Sequence, residues 1–232
     1  MENTTENSYS LSIRISSDGF SLSVCEASGL IISSKTVNAQ LFALKTEDII
    51  SLFKPETELN CKKTSIICET DHFVFIPTSF FKPEEAIHFI GLQNKMAKNE
   101  RVLYNAIHEW DTINTFTIPA ALLQALMLLF PEKTIEHHMS TFLNAVTPTR
   151  QDDSMHVWVR TKMADIIVLK AGKLQLINSY AYQTPEDFTY HTLNVAEQLT
   201  IDTEKCPLYL YNAEKKPEIG KLLNNYITVT NV

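Results

Sequence analysis

Two stretches of this chain repeat one pattern, and that repeat limits the folds open to it. Residues 11–35 read LSIRISSDGFSLSVCEASGLIISSK, and residues 155–182 read MHVWVRTKMADIIVLKAGKLQLINSYAY. Each runs strand, short turn, strand, small residue plus glycine, strand. In the first, Leu11, Ile13 and Ile15 alternate with Ser12, Arg14 and Ser16. Ser17, Asp18 and Gly19 supply turn chemistry, after which Phe20, Leu22 and Val24 alternate again. Strand side chains point to opposite faces with a period of two, so this is a half-buried hairpin. Ala27, Ser28 and Gly29 make the next turn, and Leu30, Ile31 and Ile32 begin a third strand. In the second copy Val157 and Val159 alternate with Trp158 and Arg160. Asp165 precedes the run Ile166, Ile167, Val168, Leu169, and Ala171-Gly172 turns into Leu174 and Leu176. The paired meanders predict an internal duplication.

The segments that follow each meander correspond as well. After the first, residues 45–53 carry Ile49, Ile50 and Phe53 at helical spacing, with Thr46 as N-cap and Pro55 as stop. Residues 64–68 and 73–76 read as strands. Pro83 opens a helix with Glu84 and Glu85 in its first turn, Ala86, Ile87 and Ile90 inward, and Gly91 at its end. Residues 102–107 and 112–118 form a hairpin turning near Trp110 and Asp111. From Pro119 to Phe130 the chain is apolar on nearly every side, the mark of a helix buried on most sides. A short strand over 134–138 and helical turns over 140–146 close this half. Residues 147–154, TPTRQDDS, form a polar linker. The predicted domains are therefore 1–149 and 150–232. After the second meander, Thr184, Pro185, Glu186 and Asp187 start a helix to about residue 199. A strand over 207–211, a helix over 217–226 and a strand over 227–230 complete the order βββαβαβ.

Charge narrows the partners. The net charge is −7 with no basic block, which argues against binding driven by nucleic-acid phosphates or an anionic membrane surface. The longest apolar run, residues 120–130, is about half of what spans a bilayer. Cys25, Cys61, Cys68 and Cys206 form no C-x-x-C pair, and the first residues, MENTTENSYS, lack the pattern of a signal peptide. Reduced thiols in the cytoplasm are the expectation.

The element order resembles the actin-like ATPase fold, a mixed α/β architecture whose two ribonuclease H-like halves each start with a βββ meander. The segments FVFIPTSFFKPEEA and VLYNAIHEWDTINTFTIPAALLQALMLLFPEKTIEHH are similar to a Bacteroidetes protein family of unknown function assigned to that fold. They are distantly similar to the pilus-assembly ATPases of the same superfamily. The resemblance implies phosphate and metal held at both meander turns, and a glycine pair near the last strands to admit adenosine.

The chain departs from those requirements. Its first turn has Asp18 beside Gly19, which a hairpin turn alone explains. Its second, Arg160, Thr161, Lys162, Met163, Ala164, Asp165, has no glycine, and neither has the stretch 209–216. Backbone N–H groups need small residues to approach phosphate closely. Asp18, Glu26, Glu69 and Asp71 are acids near early strands, but their spacing does not make them converge on metals as a nuclease requires. His137 and His138, adjacent on a predicted strand, would face opposite ways and share no metal. No Walker, G-x-S-x-G or H-E-x-x-H motif occurs.

The expected function is a non-catalytic protein-binding or scaffold module, without catalytic residues, metal or cofactor. The alternative is a nucleotide-binding actin-like ATPase with degenerate phosphate loops, using Asp18, Gly19 and Lys162. The expected partner is another protein or a second copy, with the 119–130 helix and the aromatics Trp110 and Phe116 near its start as the contact.

Overall fold

The first meander forms as its alternation requires. Strands β1 (Ser10–Ser16), β2 (Gly19–Cys25) and β3 (Ile31–Asn38) pair antiparallel. The computed structural model describes residues 9–26, 28, 30–57, 61, 63–93, 97–146 and 152–232. Residues 27 and 29 of the predicted second turn, and 147–151 of the predicted linker, lie outside the described residues. The chain divides into two units, Met1–Phe142 and Leu143–Val232.

In the first unit the meander is followed by α1 (Thr46–Thr57), β4 (Lys63–Cys68), β5 (Phe73–Pro77) and α2 (Ala86–Gln93). Then come β6 (Glu100–Ile107), β7 (Thr112–Pro119), α3 (Ala120–Leu129), β8 (Ile135–His137) and α4 (His138–Ala145), whose last residues from Leu143 count with the second unit. The main sheet has the order β3-β2-β1-β4-β8, with β4 parallel to β1 and β8 parallel to β4. A second, antiparallel sheet of order β5-β7-β6 is inserted between β4 and α3. The alternating apolar residues Leu11, Ile13, Ile15, Phe20 and Leu22 pack with Phe53 of α1 and Leu122 and Leu126 of α3. Phe53 stacks on Phe20 at 4.0 Å between ring centroids and meets Phe130 edge-on at 6.5 Å. Burying one such ring contributes roughly 2–3 kcal/mol.

The second unit repeats the plan without the insertion. Its elements are β9 (Ser154–Val159), β10 (Met163–Lys170), β11 (Lys173–Ala181), α5 (Pro185–Gln198), β12 (Leu208–Tyr211), α6 (Pro217–Leu223) and β13 (Val229–Asn231). The sheet order β11-β10-β9-β12-β13 is the first order over again, a meander and then two parallel strands. Met155, Val157, Ile166, Val168, Leu208 and Leu210 pack against Phe188 and Val195 of α5 and Ile219 and Leu223 of α6. By alternation His156, Trp158, Asp165, Tyr209 and Tyr211 lie on the opposite face. The predicted start of α5 is a full capping box: Asp187 N–H donates to Thr184 Oγ1 (3.1 Å), and Thr184 N–H donates back to Asp187 Oδ2 (3.0 Å). Thr184→Ala should cost the second unit about 1 kcal/mol in urea unfolding.

Several local expectations need correction. Helix α1 runs through Pro55 to Thr57, because proline near the end forfeits one N–H bond without forbidding helical geometry after it. Thr46 is the first helical residue rather than the cap, and its hydroxyl lies 3.2 Å from Gln124 Oε1 of α3. Ile87 is 47% exposed, unlike buried Ala86 and Ile90, and Gly91 lies inside α2 rather than at its end. Helix α3 keeps an exposed side: Leu122, Ala125 and Leu126 are buried, whereas Met127 and Leu128 are each 64% exposed. Phe116, offered as a contact aromatic, is fully buried. The histidines do not face opposite ways. His137 ends β8 and His138 begins α4, where the period of two lapses, and their rings lie 4.3 Å apart.

Burial holds the His156 imidazole down to about 4. Below the ordinary value near 6.5 the unfolded chain takes up a proton that the folded one refuses until about pH 4. Stability of the second unit is therefore full above pH 6.5 and is lost as pH falls through that window, by about 2 kcal/mol at about pH 5. Urea titrations near pH 7.5 and pH 5 check this, and His156→Gln should flatten the difference.

Candidate functional site

The two meander turns are the places where the fold would hold a phosphate. In the first, Ser16 Oγ donates to Asp18 Oδ1 (2.6 Å), and Ala39 N–H donates to the Asp18 carbonyl (3.1 Å). Asp18 itself is exposed. Gly19 has φ +151°, and a Cβ there would sit 2.1 Å from the Val37 carbonyl oxygen. The glycine is thus required by the closure of β3 onto the hairpin, opposite Asn38 in the register. The nearby acids have other engagements. Glu69, just after β4, forms an ion pair with Arg14 of β1. Glu26 follows β2, at the far end of the hairpin from Asp18, about 20 Å away along a seven-residue strand.

The second turn, between β9 and β10, is held by its carbonyls. Asn212 Nδ2 donates to Val159 O (2.7 Å), the Tyr182 hydroxyl to Arg160 O (2.6 Å) and Lys216 Nζ to Thr161 O (2.7 Å). Tyr182 N–H donates to Lys162 O (3.0 Å), so four successive carbonyls are engaged. Lys216 also donates to the Tyr182 hydroxyl (2.9 Å) and lies 4.6 Å over its ring. The Arg160 guanidinium is clamped by both oxygens of Asp165 (2.8 and 2.9 Å), which also accepts from Ser179 Oγ (2.5 Å). Lys162 is exposed at the tip of the turn. Asn212, in the left-handed conformation at φ 60°, and Lys216 come from the stretch where adenosine-binding glycines were sought. They reach back to close the turn instead.

Of the sequence-predicted residues, Asp18 and Gly19 share the first turn, and Lys162 occupies the matching turn of the second unit. Tyr182, Asn212 and Lys216 were missed. Their roles depend on pairings across roughly 20–55 positions that no local pattern reveals. Arg160 and Asp165 stand five residues apart across a turn, and that spacing was the available signal.

His137 has no ring nitrogen to offer a metal. His137 Nδ1 accepts from Asn114 Nδ2 (3.0 Å) and Met139 N–H (3.3 Å), so the ring proton is on Nε2 and donates to Thr70 O (3.0 Å). Both nitrogens are spent. Among the described residues no group of three or more His, Cys, Asp or Glu side chains is placed to hold a metal.

Residues 1–229 match the family described as Protein of unknown function (DUF3822). The chain belongs to this family. A crystal structure of a Bacteroides thetaiotaomicron VPI-5482 protein, described as having an actin-like ATPase fold and unknown function, is 24% identical to this member of the family. The match covers 100% of this chain and 94% of that one, with a TM-score of 0.82. A chain of a PilM-PilN type IV pilus biogenesis complex is 10% identical, covering 96% of this chain and 88% of its own length, with a TM-score of 0.59. No curated protein matches the chain. This DUF3822 chain therefore has the actin-like ATPase fold. No helix among its described residues is long and apolar enough to cross a membrane.

Proposed function

We propose that this protein is a docking module on an actin-like frame, one that turns over no nucleotide. The observation that carries this reading is the closure of the second meander turn, whose four carbonyls are engaged by Tyr182, Asn212 and Lys216. A phosphate loop presents N–H groups to its ligand, whereas this turn is fixed by its acceptors and has no glycine. The PilM-PilN structure supports the reading only in kind, as a protein of similar fold assembled with another protein. The four free thiols agree with a cytoplasmic setting. The net charge of −7 speaks for a protein partner rather than nucleic acid.

The docking surface we favour is the open edge of β6 in the inserted sheet. Ala120 N–H donates to Asn99 O, and this fixes the alternation of the β6–β7 ladder. Val102, Tyr104 and Ala106 then direct their backbone N–H and C=O away from β7, and among the described residues β6 has no other strand partner in its sheet. A groove of about 290 Å³ runs beside this edge, walled by Pro83, Ala86, Ile87, Val102 and Tyr104 together with the charged Glu84, Glu100 and Arg101. Exposed Ile87, Leu92 and Phe80 lie in the same insertion. An extended segment of a partner would add a strand to β6 and rest alternate side chains in the groove.

Val102→Pro tests this, because it removes one outward N–H and leaves the ladder to β7 intact. Peptides selected on the protein from a displayed random library should lose binding at least about tenfold to this variant, whose melting should stay close to wild type. Peptides that bind the folded variant as well as wild type would overturn the β6 assignment. Exposed Lys162 favours the second reading, weak anion binding at the turn as a point charge.

A further inference from the structure

One cluster in the second unit is explained by neither docking nor packing. Ser154 opens β9, His156 lies two residues on along the same face, and Tyr211 ends β12 on that face as well. Ser154 Oγ is 3.1 Å from His156 Nε2, and His156 Nδ1 is 3.1 Å from the Tyr211 hydroxyl. The imidazole is stacked on Tyr209 at 4.9 Å and 18°, which clamps its plane. With the ring proton on Nδ1, Nδ1–H donates to the Tyr211 oxygen and Nε2 accepts from the serine hydroxyl. That is the order nucleophile, base, orienting group.

The serine also borders a space. A cavity of about 460 Å³ is lined by Ser154, Tyr209, Cys206, Asp153, Asp202 and Lys205 among others, large enough for a small organic ligand. The residues that form it all belong to the second unit.

We propose that Ser154 is a nucleophile activated by His156, and that the cavity admits a small ester as acyl donor. Ser154 Oγ attacks the ester carbonyl carbon while its proton passes to His156 Nε2. The carbonyl π pair moves onto oxygen. Collapse re-forms the carbonyl and breaks the C–O bond to the leaving alkoxide, which takes the proton from Nε2. The products are acyl-Ser154 and an alcohol. Water attacking the acyl carbon by the same route returns the free serine and a carboxylic acid.

The neighbouring groups agree with this assignment. Burial keeps the imidazole neutral down to about pH 4, so Nε2 carries no proton at neutral pH, while its low basicity makes it a weaker acceptor than an ordinary histidine. Cys206, on the same wall, is not a competitor. Burial, and then the charge of Asp153, pushes its thiol up to about 11, leaving it protonated. The assignment is independent of the β6 edge and of nucleotide, so each can fail alone.

The test uses the full chain with a fluorophosphonate probe, followed by intact mass and peptide mapping. One adduct is expected, on Ser154, absent from Ser154→Ala. Its rate should fall at least about tenfold in His156→Gln and severalfold in Tyr211→Phe, which keeps the ring and removes only the hydroxyl. Labelling should hold nearly constant from about pH 8 to pH 5.5, because the base ionises near 4 rather than 6.5. No adduct on the folded wild type, an adduct mapped elsewhere, or equal labelling of folded Tyr211→Phe and His156→Gln would overturn the proposal.

Discussion

Asp165→Ala is expected to destabilise the second unit by about 3–5 kcal/mol, the usual cost of removing one partner from a buried ion pair. The Asp165 side chain is only 2% exposed and that of Arg160 only 11%. Asp165 is the bidentate acceptor for Arg160 and accepts from Ser179 as well, so its loss strips the clamp behind the β9–β10 turn. Urea unfolding followed by Trp158 fluorescence, beside Asp165→Asn, measures the effect. The asparagine variant keeps the shape and one acceptor oxygen and should lose less. A loss under about 1 kcal/mol for the alanine variant would mean that the turn is held by its other bonds alone.

Gly19→Ala should be nearly as damaging to the first unit, with a loss of at least about 3 kcal/mol. The added Cβ meets the Val37 carbonyl oxygen at 2.1 Å, and that oxygen is backbone, so no side chain can swing aside. The backbone there is also at φ +151°, which L residues rarely adopt. Relief requires opening the β2–β3 pairing near Asn38. The check is urea unfolding followed by a probe in the first unit such as Trp110. A near-neutral Gly19→Ala would show that β3 yields easily at this point. Gly91→Ala is the contrast, since nothing lies within 4 Å of its added Cβ.

What the sequence disclosed depended on how local the cause was. The meanders were legible because Leu11, Ile13 and Ile15, or Val157 and Val159, alternate with a period of two that only a one-sided strand needs. The start of α5 was legible because Thr184, Pro185 and Asp187 act on each other within one turn. The histidine pair was misread because Ile135–His137 switches to helix at His138, and a periodicity argument fails at such a junction. The exposed side of α3 was hidden because Met127 and Leu128 are as apolar as the residues it buries. At the candidate site, the poverty of glycine pointed to an altered second turn. The agents that close it, Tyr182, Asn212 and Lys216, are ordinary polar residues whose meaning arises only once β12 lies beside β9.

On the proposed function the meander turns hold themselves rather than a phosphate. Isothermal titration calorimetry with ATP and magnesium, run on wild type and Asp18→Ala, tests it most directly. The prediction is heat of dilution only up to about 1 mM ATP, equivalent to binding no stronger than about −4 kcal/mol, with the two proteins indistinguishable. Weak binding that disappears in Lys162→Ala alone would fit a point-charge contact at the second turn. A micromolar dissociation constant that Asp18→Ala abolishes would make Asp18 a nucleotide-site residue and the first turn a phosphate loop.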